Sequence, residues 1–196
     1  QAIFLGLVQA LTEYLPVSSS AHIRIIGDLM LGSDPGAAFT AIIQIGTELA
    51  VILYFRRDII NILSHWFGCL FGKNGPDWRA RMGRGDKYAT LGWNVIVGSI
   101  PTIILGFTLQ NIIETSLRNL WITVTVLFLF GLLLWIVDAR SRQIKTMDDM
   151  NYRDAFLFGL GQSMALIPGV SRSGGTITVG RALGYTRESA VRLSFL

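Results

Sequence analysis

Long apolar stretches alternate with short polar loops along this 196-residue chain. A transmembrane helix needs about 20 mostly apolar residues, and residues 39–55, 91–109 and 120–137 meet that condition. Gln44 and Glu48 interrupt the first of these stretches and share one helix face, where they either line a cavity or bond across helices. The pattern predicts an all-α integral membrane protein built as a polytopic helical bundle.

Two further apolar stretches are interrupted by polar, Ser-rich sequence. The break in residues 1–30 covers residues 12–22, and the break in residues 155–184 covers residues 168–176. Irregular backbone is tolerated at membrane depth only where protein buries it or where it lines a wet cavity. We therefore expect two broken or re-entrant helical segments.

The two broken segments share a spacing. Gln9 precedes Ser18 by the same number of residues as Gln162 precedes Ser171. Interrupted segments at corresponding places in two halves indicate an internal repeat with a binding site where the halves meet; chance similarity between Gly-rich segments is the alternative. We expect one transmembrane domain over residues 1–196, with a first repeat at 1–110 and an incomplete second repeat, inverted in topology, at 115–196. Both ends lie within apolar runs, which predicts a C-terminally truncated chain.

Two polar loops, residues 73–87 and 138–154, are rich in Lys and Arg. Residues 59–71 form either an interfacial helix or the end of a bent span, and residues 110–119 form a polar turn between two spans. Because two spans separate the basic loops, both loops should lie on one side, and the positive-inside rule makes that side the cytoplasm.

Composition supports a membrane protein and narrows the chemistry. Hydrophobic residues make up 51% of the chain and charged residues 15%, against about 25% charged in soluble domains. The basic residues lie between apolar segments, so the net charge of +4 indicates orientation in a membrane and no nucleic-acid partner. Abundant glycine suits close helix packing in lipid. A single cysteine, Cys69, and two histidines, His22 and His65, exclude an internal disulfide and a Cys- or His-rich metal centre; His65 beside Trp66 indicates anchoring at the interface.

The first break holds residue types suited to catalysis. Glu13 follows Gln9 by four residues, which places both on one helix face. An ionisable group at membrane depth usually faces a cavity and a partner. A helix N-cap would explain one serine of the cluster, but not three. Because a hydroxyl nucleophile needs a base, we expect Ser19 to act with His22, one helical turn away.

The second break is suited to binding phosphate. Arg172 lies between Ser171 and Ser173 and precedes a glycine pair that begins at Gly174. A guanidinium matches phosphate geometry, and glycines allow close backbone approach to an anion. A helix starting near Thr176 would direct its N–H groups at the phosphate. An arginine snorkelling to the interface is the alternative.

These residues resemble the undecaprenyl-diphosphate phosphatase family of membrane enzymes linked to bacitracin resistance. The first family motif, Glu/Gln-x-x-x-Glu followed by Leu-Pro-Val-Ser-Ser and a His, is matched by Gln9, Glu13, residues 15–19 and His22. The second, Pro-Gly-x-Ser-Arg-Ser-x-x-Thr, is matched by residues 168–176. The similarity covers the whole chain.

The resemblance implies a hydrolase that converts undecaprenyl pyrophosphate to the monophosphate and so recycles the lipid carrier of cell-wall synthesis. It implies a multi-pass protein of the bacterial cytoplasmic (inner) membrane, with the site facing the outer side and a divalent cation, Mg or Ca, as cofactor. A polyprenyl pyrophosphate and membrane lipid are the expected partners, and a homodimer stays open. A lipid-phosphate transporter or flippase using the same site is the alternative function.

Site residues follow from the motifs and the chemistry together. The expected catalytic residues are Glu13, Ser19, His22 and Arg172. The expected substrate-binding residues are Gln9, Ser18, Ser171, Ser173, Gly174 and Thr176. The expected metal ligands are Glu13 and Gln9. The first motif begins here with Gln9 and not with a glutamate, which leaves Glu13 as its single carboxylate.

Overall fold

The computed structural model describes residues 2–32, 35–115 and 120–196, and the regular elements over these residues are helices joined by short loops. The helices over these residues are α1 Ala2–Glu13, α2 Ser19–Leu31, α3 Ala37–Tyr54, α4 Arg56–Leu70, α5 Trp78–Arg81, α6 Lys87–Thr115, α7 Leu120–Arg140, α8 Tyr152–Ser163, α9 Arg172–Ala182 and α10 Arg187–Phe195. Short 3-10 turns cover Met147–Asp149 and Met164–Leu166. The all-α prediction is confirmed for this part of the chain.

Two helices are long and apolar enough to cross a membrane. They are Lys87–Leu109, within α6, and Leu120–Arg140, which is α7. The predicted spans 91–109 and 120–137 are therefore confirmed as continuous helices of the required length and apolarity. Pro101 lies inside α6 without ending it. At the predicted polar turn, α6 continues to Thr115, and residues 116–119 lie outside the described part of the chain.

Helices α3 and α4 form a bent pair. Their axes differ by 69° at a break next to Phe55, and together they are long and apolar enough for one span. This geometry favours the bent-span alternative for residues 59–71. The apolar face of α4 packs on α6, where a Cβ added to Gly92 would lie 3.0 Å from the Trp66 ring.

His65 contacts Asp86, the residue before α6; its predicted place at the membrane interface stays a prediction. Its Nδ1 lies 2.7 Å from Oδ2 of Asp86, and Oδ1 of Asp86 accepts hydrogen bonds from the N–H groups of Tyr88 and Ala89. Burial raises the pKa of Asp86, but these hydrogen bonds outweigh burial and hold the pKa below its usual range. The ionised Asp86 thus caps α6 and ties α4 to it.

Glycines bring the helix backbones into contact at the centre of the molecule. A Cβ at Gly159 of α8 would overlap the carbonyl oxygen of Gly98 in α6, and a Cβ at Gly175 of α9 would overlap that of Gly161. Only glycine permits such close approach, so α8 lies directly against both α6 and α9, as glycine-rich composition predicts.

Both broken segments form pairs of short helices that pack on each other. Helices α1 and α2 are separated by residues 14–18, and α8 and α9 by residues 164–171. The predicted breaks are therefore confirmed, and they place both Ser-rich loops between helix ends.

The two basic loops lie at the same end of the molecule, as span counting predicts. Nδ2 of Asn94 in α6 lies 3.4 Å from the carbonyl oxygen of Met150 in the second loop. A cavity of about 420 Å³ beside them is lined by residues from both loops, among them Asp86 and Asp148.

A buried ion pair joins the end of α9 to the end of α7. Arg181, which is fully buried, places its Nε 2.6 Å from Oδ1 of Asp138 and its NH1 2.7 Å from the carbonyl oxygen of Tyr185. The guanidinium of Arg187 binds the same carboxylate from the solvent side. Helix α9 is thereby fixed at its C-terminal end.

Candidate functional site

The two Ser-rich breaks meet at one ion pair. Glu13 is the last residue of α1, and Arg172 is the first residue of α9. NH2 of Arg172 lies 2.9 Å from Oε1 of Glu13, although the two residues are 159 positions apart in sequence. The structure therefore brings the charged residues of both motifs together.

The first break directs its donors at Glu13. Nε2 of Gln9 donates to Oε2 of Glu13 at 2.9 Å, and the Ser19 hydroxyl donates to the same oxygen. Ser18 is in the left-handed region with φ of 61°, a conformation that costs a non-glycine residue about 1–3 kcal/mol and often marks functional sites. This turn starts α2 at Ser19. The Glu13 side chain is only 8% exposed, and these donors satisfy its charge.

His22 lies apart from Ser19. Its Nδ1 lies 2.9 Å from the carbonyl oxygen of Ser18, one turn back in the helix. The ring lines a cavity of about 280 Å³ together with Ser171 and Gly174, whereas Ser19 and Glu13 line a different cavity of about 260 Å³. The expected hydrogen bond between Ser19 and His22 is not formed, because the Ser19 hydroxyl donates to Glu13 and the His22 ring contacts the Ser18 carbonyl oxygen.

The second break starts its helix four residues earlier than predicted. Helix α9 begins at Arg172 and not near Thr176, because the Ser171 hydroxyl caps it by accepting the N–H of Gly174 at 3.1 Å. The Ser171 and Ser173 hydroxyl oxygens lie 3.1 Å apart, and the Thr176 hydroxyl donates to the carbonyl oxygen of Arg172 at 2.8 Å. These hydroxyls fix the first turn of α9 and so position Arg172.

The glycine pair after Arg172 serves helix packing. A Cβ added to Gly174 would lie 2.9 Å from Cβ of Ser171 and 3.4 Å from the carbonyl oxygen of Pro16, and Gly175 contacts the backbone of Gly161. That this turn also cradles an anion stays a prediction. The N–H of Gly174 is taken by the cap, and the glycines bring both breaks close together.

Arg172 binds a second carboxylate. NH2 of Arg172 lies 2.6 Å from Oε1 of Glu48 in α3, and Nε2 of Gln44 lies 3.3 Å from the same oxygen. Nε and NH1 of Arg172 have no hydrogen-bond partner among the described residues, and the side chain is 33% exposed. The guanidinium thus keeps donors for an incoming anion.

The site opens into two adjoining cavities. The cavity of about 260 Å³ beside Ser19 and a second cavity of about 250 Å³ beside Glu48 are both lined by Arg172 and Gln162. Thr102 of α6 also lines the first cavity, and Thr176 the second. Gln162 and Thr102 were not expected at the site from the sequence, although Gln162 precedes Ser171 by the same spacing as Gln9 precedes Ser18.

Hard oxygen ligands for a cation are present next to Glu13. Oε1 of Gln9 is buried and has no hydrogen-bond partner, and Gln9 already contacts the Glu13 carboxylate through Nε2. No group of three or more His, Cys, Asp or Glu side chains surrounds a common point within residues 2–32, 35–115 and 120–196. Such a sparse set suits Mg²⁺, which keeps several waters and binds through one or two protein ligands plus phosphate oxygens.

Comparison with known proteins identifies the family. The family model described as "Bacitracin resistance protein BacA" matches residues 2–196. Proteins named undecaprenyl-diphosphatase from Bifidobacterium longum subsp. infantis and Bifidobacterium adolescentis are 88% and 72% identical over the whole chain, and one from Paenarthrobacter aurescens is 54% identical. The chain spans about two thirds of the length of these relatives. It therefore belongs to the bacitracin resistance protein BacA family.

Proposed function

We propose that this protein hydrolyses undecaprenyl diphosphate to undecaprenyl phosphate and inorganic phosphate. The observation that carries the proposal is the cluster of Glu13, Ser19 and Arg172, which places an anion-binding guanidinium beside a hydroxyl that is bonded to a carboxylate. The relatives named undecaprenyl-diphosphatase support the same reaction. None of these comparisons supports the transporter alternative.

Each side chain has a chemical role in this proposal. The guanidinium of Arg172 binds the terminal phosphate and stabilises the charge that develops on it. Glu13 accepts the Ser19 hydroxyl proton as Oγ attacks the terminal phosphorus and the bond to the bridging oxygen breaks. Undecaprenyl phosphate leaves, and water then attacks the phosphoserine to release phosphate. Direct attack by a water that Ser19 and Glu13 position gives the same products.

A divalent cation, Mg or Ca, belongs to the proposal as cofactor. Glu13 and Gln9 would hold it, since the unpartnered Oε1 of Gln9 and the carboxylate are both hard oxygen ligands. When bound, such a cation neutralises negative charge on phosphate oxygens.

The proposed location is the bacterial inner membrane, with the site open to the outer side. The apolar helices and the basic loops at one end of the molecule support this orientation. The shared spacing and the two helix pairs support an internal repeat of inverted topology, with the site between its halves. The hypothesis includes contact with membrane lipid and self-association as a homodimer.

Phosphate release from a prenyl diphosphate by the purified protein in detergent tests the proposal. We expect Arg172→Ala and Glu13→Ala to lower kcat/KM by at least about 10²-fold, as for loss of a group that stabilises transition-state charge. Arg142→Ala, which removes an exposed arginine from the second basic loop, is the matched control. Near wild-type turnover in Arg172→Ala would mean that the site is misassigned, and absence of phosphate release by the wild type would favour a flippase.

A further inference from the structure

We propose that Glu48 is a displaceable counter-ion of Arg172: it neutralises the guanidinium in the empty site, yields to the substrate diphosphate, and returns to help release inorganic phosphate. The inference rests on the proposed function, which it deepens by giving Glu48 control over anion affinity. It begins from the ion pair between Glu48 and Arg172, whose atoms Oε1 and NH2 are 2.6 Å apart.

One nitrogen of the Arg172 guanidinium is shared between two carboxylates. NH2 of Arg172 contacts both Glu13 and Glu48. A guanidinium can offer a phosphate two parallel N–H bonds only through a pair of its nitrogens, and both such pairs, Nε with NH2 and NH1 with NH2, include NH2. Bidentate binding of a phosphate by Arg172 therefore requires that NH2 leave at least one carboxylate.

Glu48 is held less firmly than Glu13. The Glu13 side chain is 8% exposed and also accepts hydrogen bonds from Gln9 and Ser19. The Glu48 side chain is 39% exposed, and besides Arg172 it accepts a 3.3 Å hydrogen bond from Nε2 of Gln44. Glu48 therefore loses fewer contacts than Glu13 when it separates from Arg172, and water in the adjoining cavity can hydrate it. Glu13 would instead be left as a buried charge without its counter-ion.

The charge of Glu48 also opposes the binding of a diphosphate. Before any cation binds, the formal charges of Glu13, Glu48 and Arg172 sum to −1, and Glu48 contributes the unit in excess of the Glu13–Arg172 pair. A carboxylate at this distance both competes for the guanidinium and repels the anion. The same competition weakens the hold of Arg172 on the product phosphate, so Glu48 lowers affinity and favours turnover.

Glu48→Gln tests the inference because it removes the charge and keeps the size of the side chain. We expect the KM for a prenyl diphosphate and the inhibition constant of inorganic pyrophosphate both to fall by about threefold or more, the scale of a partly exposed ion pair. Glu188→Gln, which removes an exposed carboxylate from the first turn of α10, is the matched control. An unchanged or raised KM in Glu48→Gln, or an equal fall in Glu188→Gln, would overturn the inference.

A binding measurement separates this inference from the proposed function. Inorganic pyrophosphate should raise the Tm of Glu48→Gln more than that of the wild type, and this difference should vanish when Arg172→Ala is added to both. If the wild type releases no phosphate but this pattern holds, the proposed function fails and the competition at Arg172 stands. If Glu48→Gln and the wild type respond equally to pyrophosphate, Glu48 does not compete for the guanidinium.

Discussion

Glu13 is the residue on which the contacts of the site converge. Its Oε1 receives Arg172, and its Oε2 receives Gln9 and Ser19. One carboxylate therefore contacts the guanidinium of Arg172 together with the Ser19 hydroxyl and the Gln9 amide of the first motif. Because the Ser19 hydroxyl already donates to Glu13, the carboxylate is placed to accept its proton, and His22 is not.

This arrangement predicts an order among single substitutions. Ser19→Ala should lower kcat by about 10²-fold or more, since general-base-assisted attack contributes on that scale. His22→Ala should lower kcat by less than about tenfold, because His22 contacts the Ser18 backbone and lines another cavity and so is not expected to act as the base. Single-turnover phosphate release measures both, with Ser64→Ala on the exposed side of α4 as control.

The competing hypothesis gives the opposite result. If His22 is the base, His22→Ala should lower kcat as much as Ser19→Ala does. The difference in kcat between the wild type and His22→Ala should then grow as the pH is raised above the pKa of a free histidine, about 6.5. Full activity in Ser19→Ala would instead leave an activated water as the attacking group.

Individual site residues were predictable where charge interrupts apolar sequence. Glu13 and Arg172 stand out in this way, and the structure brings them together. The contact of Glu48 with Arg172 was not predictable, because it depends on the rotation of α3 about its axis. A spacing of three residues permitted a contact between Ser19 and His22 but could not decide it, since Glu13 competes for the hydroxyl.

At the scale of the element, α9 is held at both ends. Arg172 begins the helix and Arg181 lies near its end, where it is buried against Asp138. The two arginines are nine residues apart, about 14 Å along a helix. A shift of α9 along its axis would therefore break the pair at Asp138 and displace Arg172 from Glu13.

Asp138→Asn tests this anchor. It should destabilise the protein by about 3 kcal/mol or more, because it leaves the buried Arg181 guanidinium without its counter-ion. Thermal unfolding in detergent measures the loss, and Asp148→Asn in the exposed second loop is the control. Adding Arg181→Met to Asp138→Asn should recover part of the lost stability. A Tm for Asp138→Asn equal to that of Asp148→Asn would contradict the anchor.

Element boundaries were less predictable than element types. The breaks after α1 and α8 followed from polar residues in apolar sequence, but the start of α9 depended on whether Ser171 or a later residue caps it. The glycine contacts of α8 with α6 and α9 could be expected only as a general tendency. Which glycine meets which backbone depends on the path of the chain in three dimensions.

At the scale of the molecule, both basic loops gather at one end. Span counting predicted this arrangement, and the cavity that Asp86 of the first loop and Asp148 of the second both line bears it out. The angle of 69° between α3 and α4 was not predictable, because residues 59–71 are apolar enough for either alternative.

Accessibility labelling tests which side the basic loops occupy. Single cysteines at Arg79→Cys and Arg142→Cys, in a chain whose buried Cys69 is replaced by serine, should resist a membrane-impermeant thiol reagent in intact cells. Both should react once the membrane is permeabilised, because both loops are expected in the cytoplasm. Labelling of only one of them in intact cells would contradict the prediction that both loops lie on one side. Labelling of both in intact cells would place both loops on the outer side, opposite to the predicted orientation.

The 159-residue separation between Glu13 and Arg172 has a consequence for biosynthesis. A ribosome that adds about 5–20 residues per second needs about 10–30 s to make the intervening chain. During that time the first helix pair is in or near the bilayer, with a carboxylate that lacks its cation. We therefore expect a lipid headgroup or a chaperone to shield this charge in the nascent chain until Arg172 is synthesised.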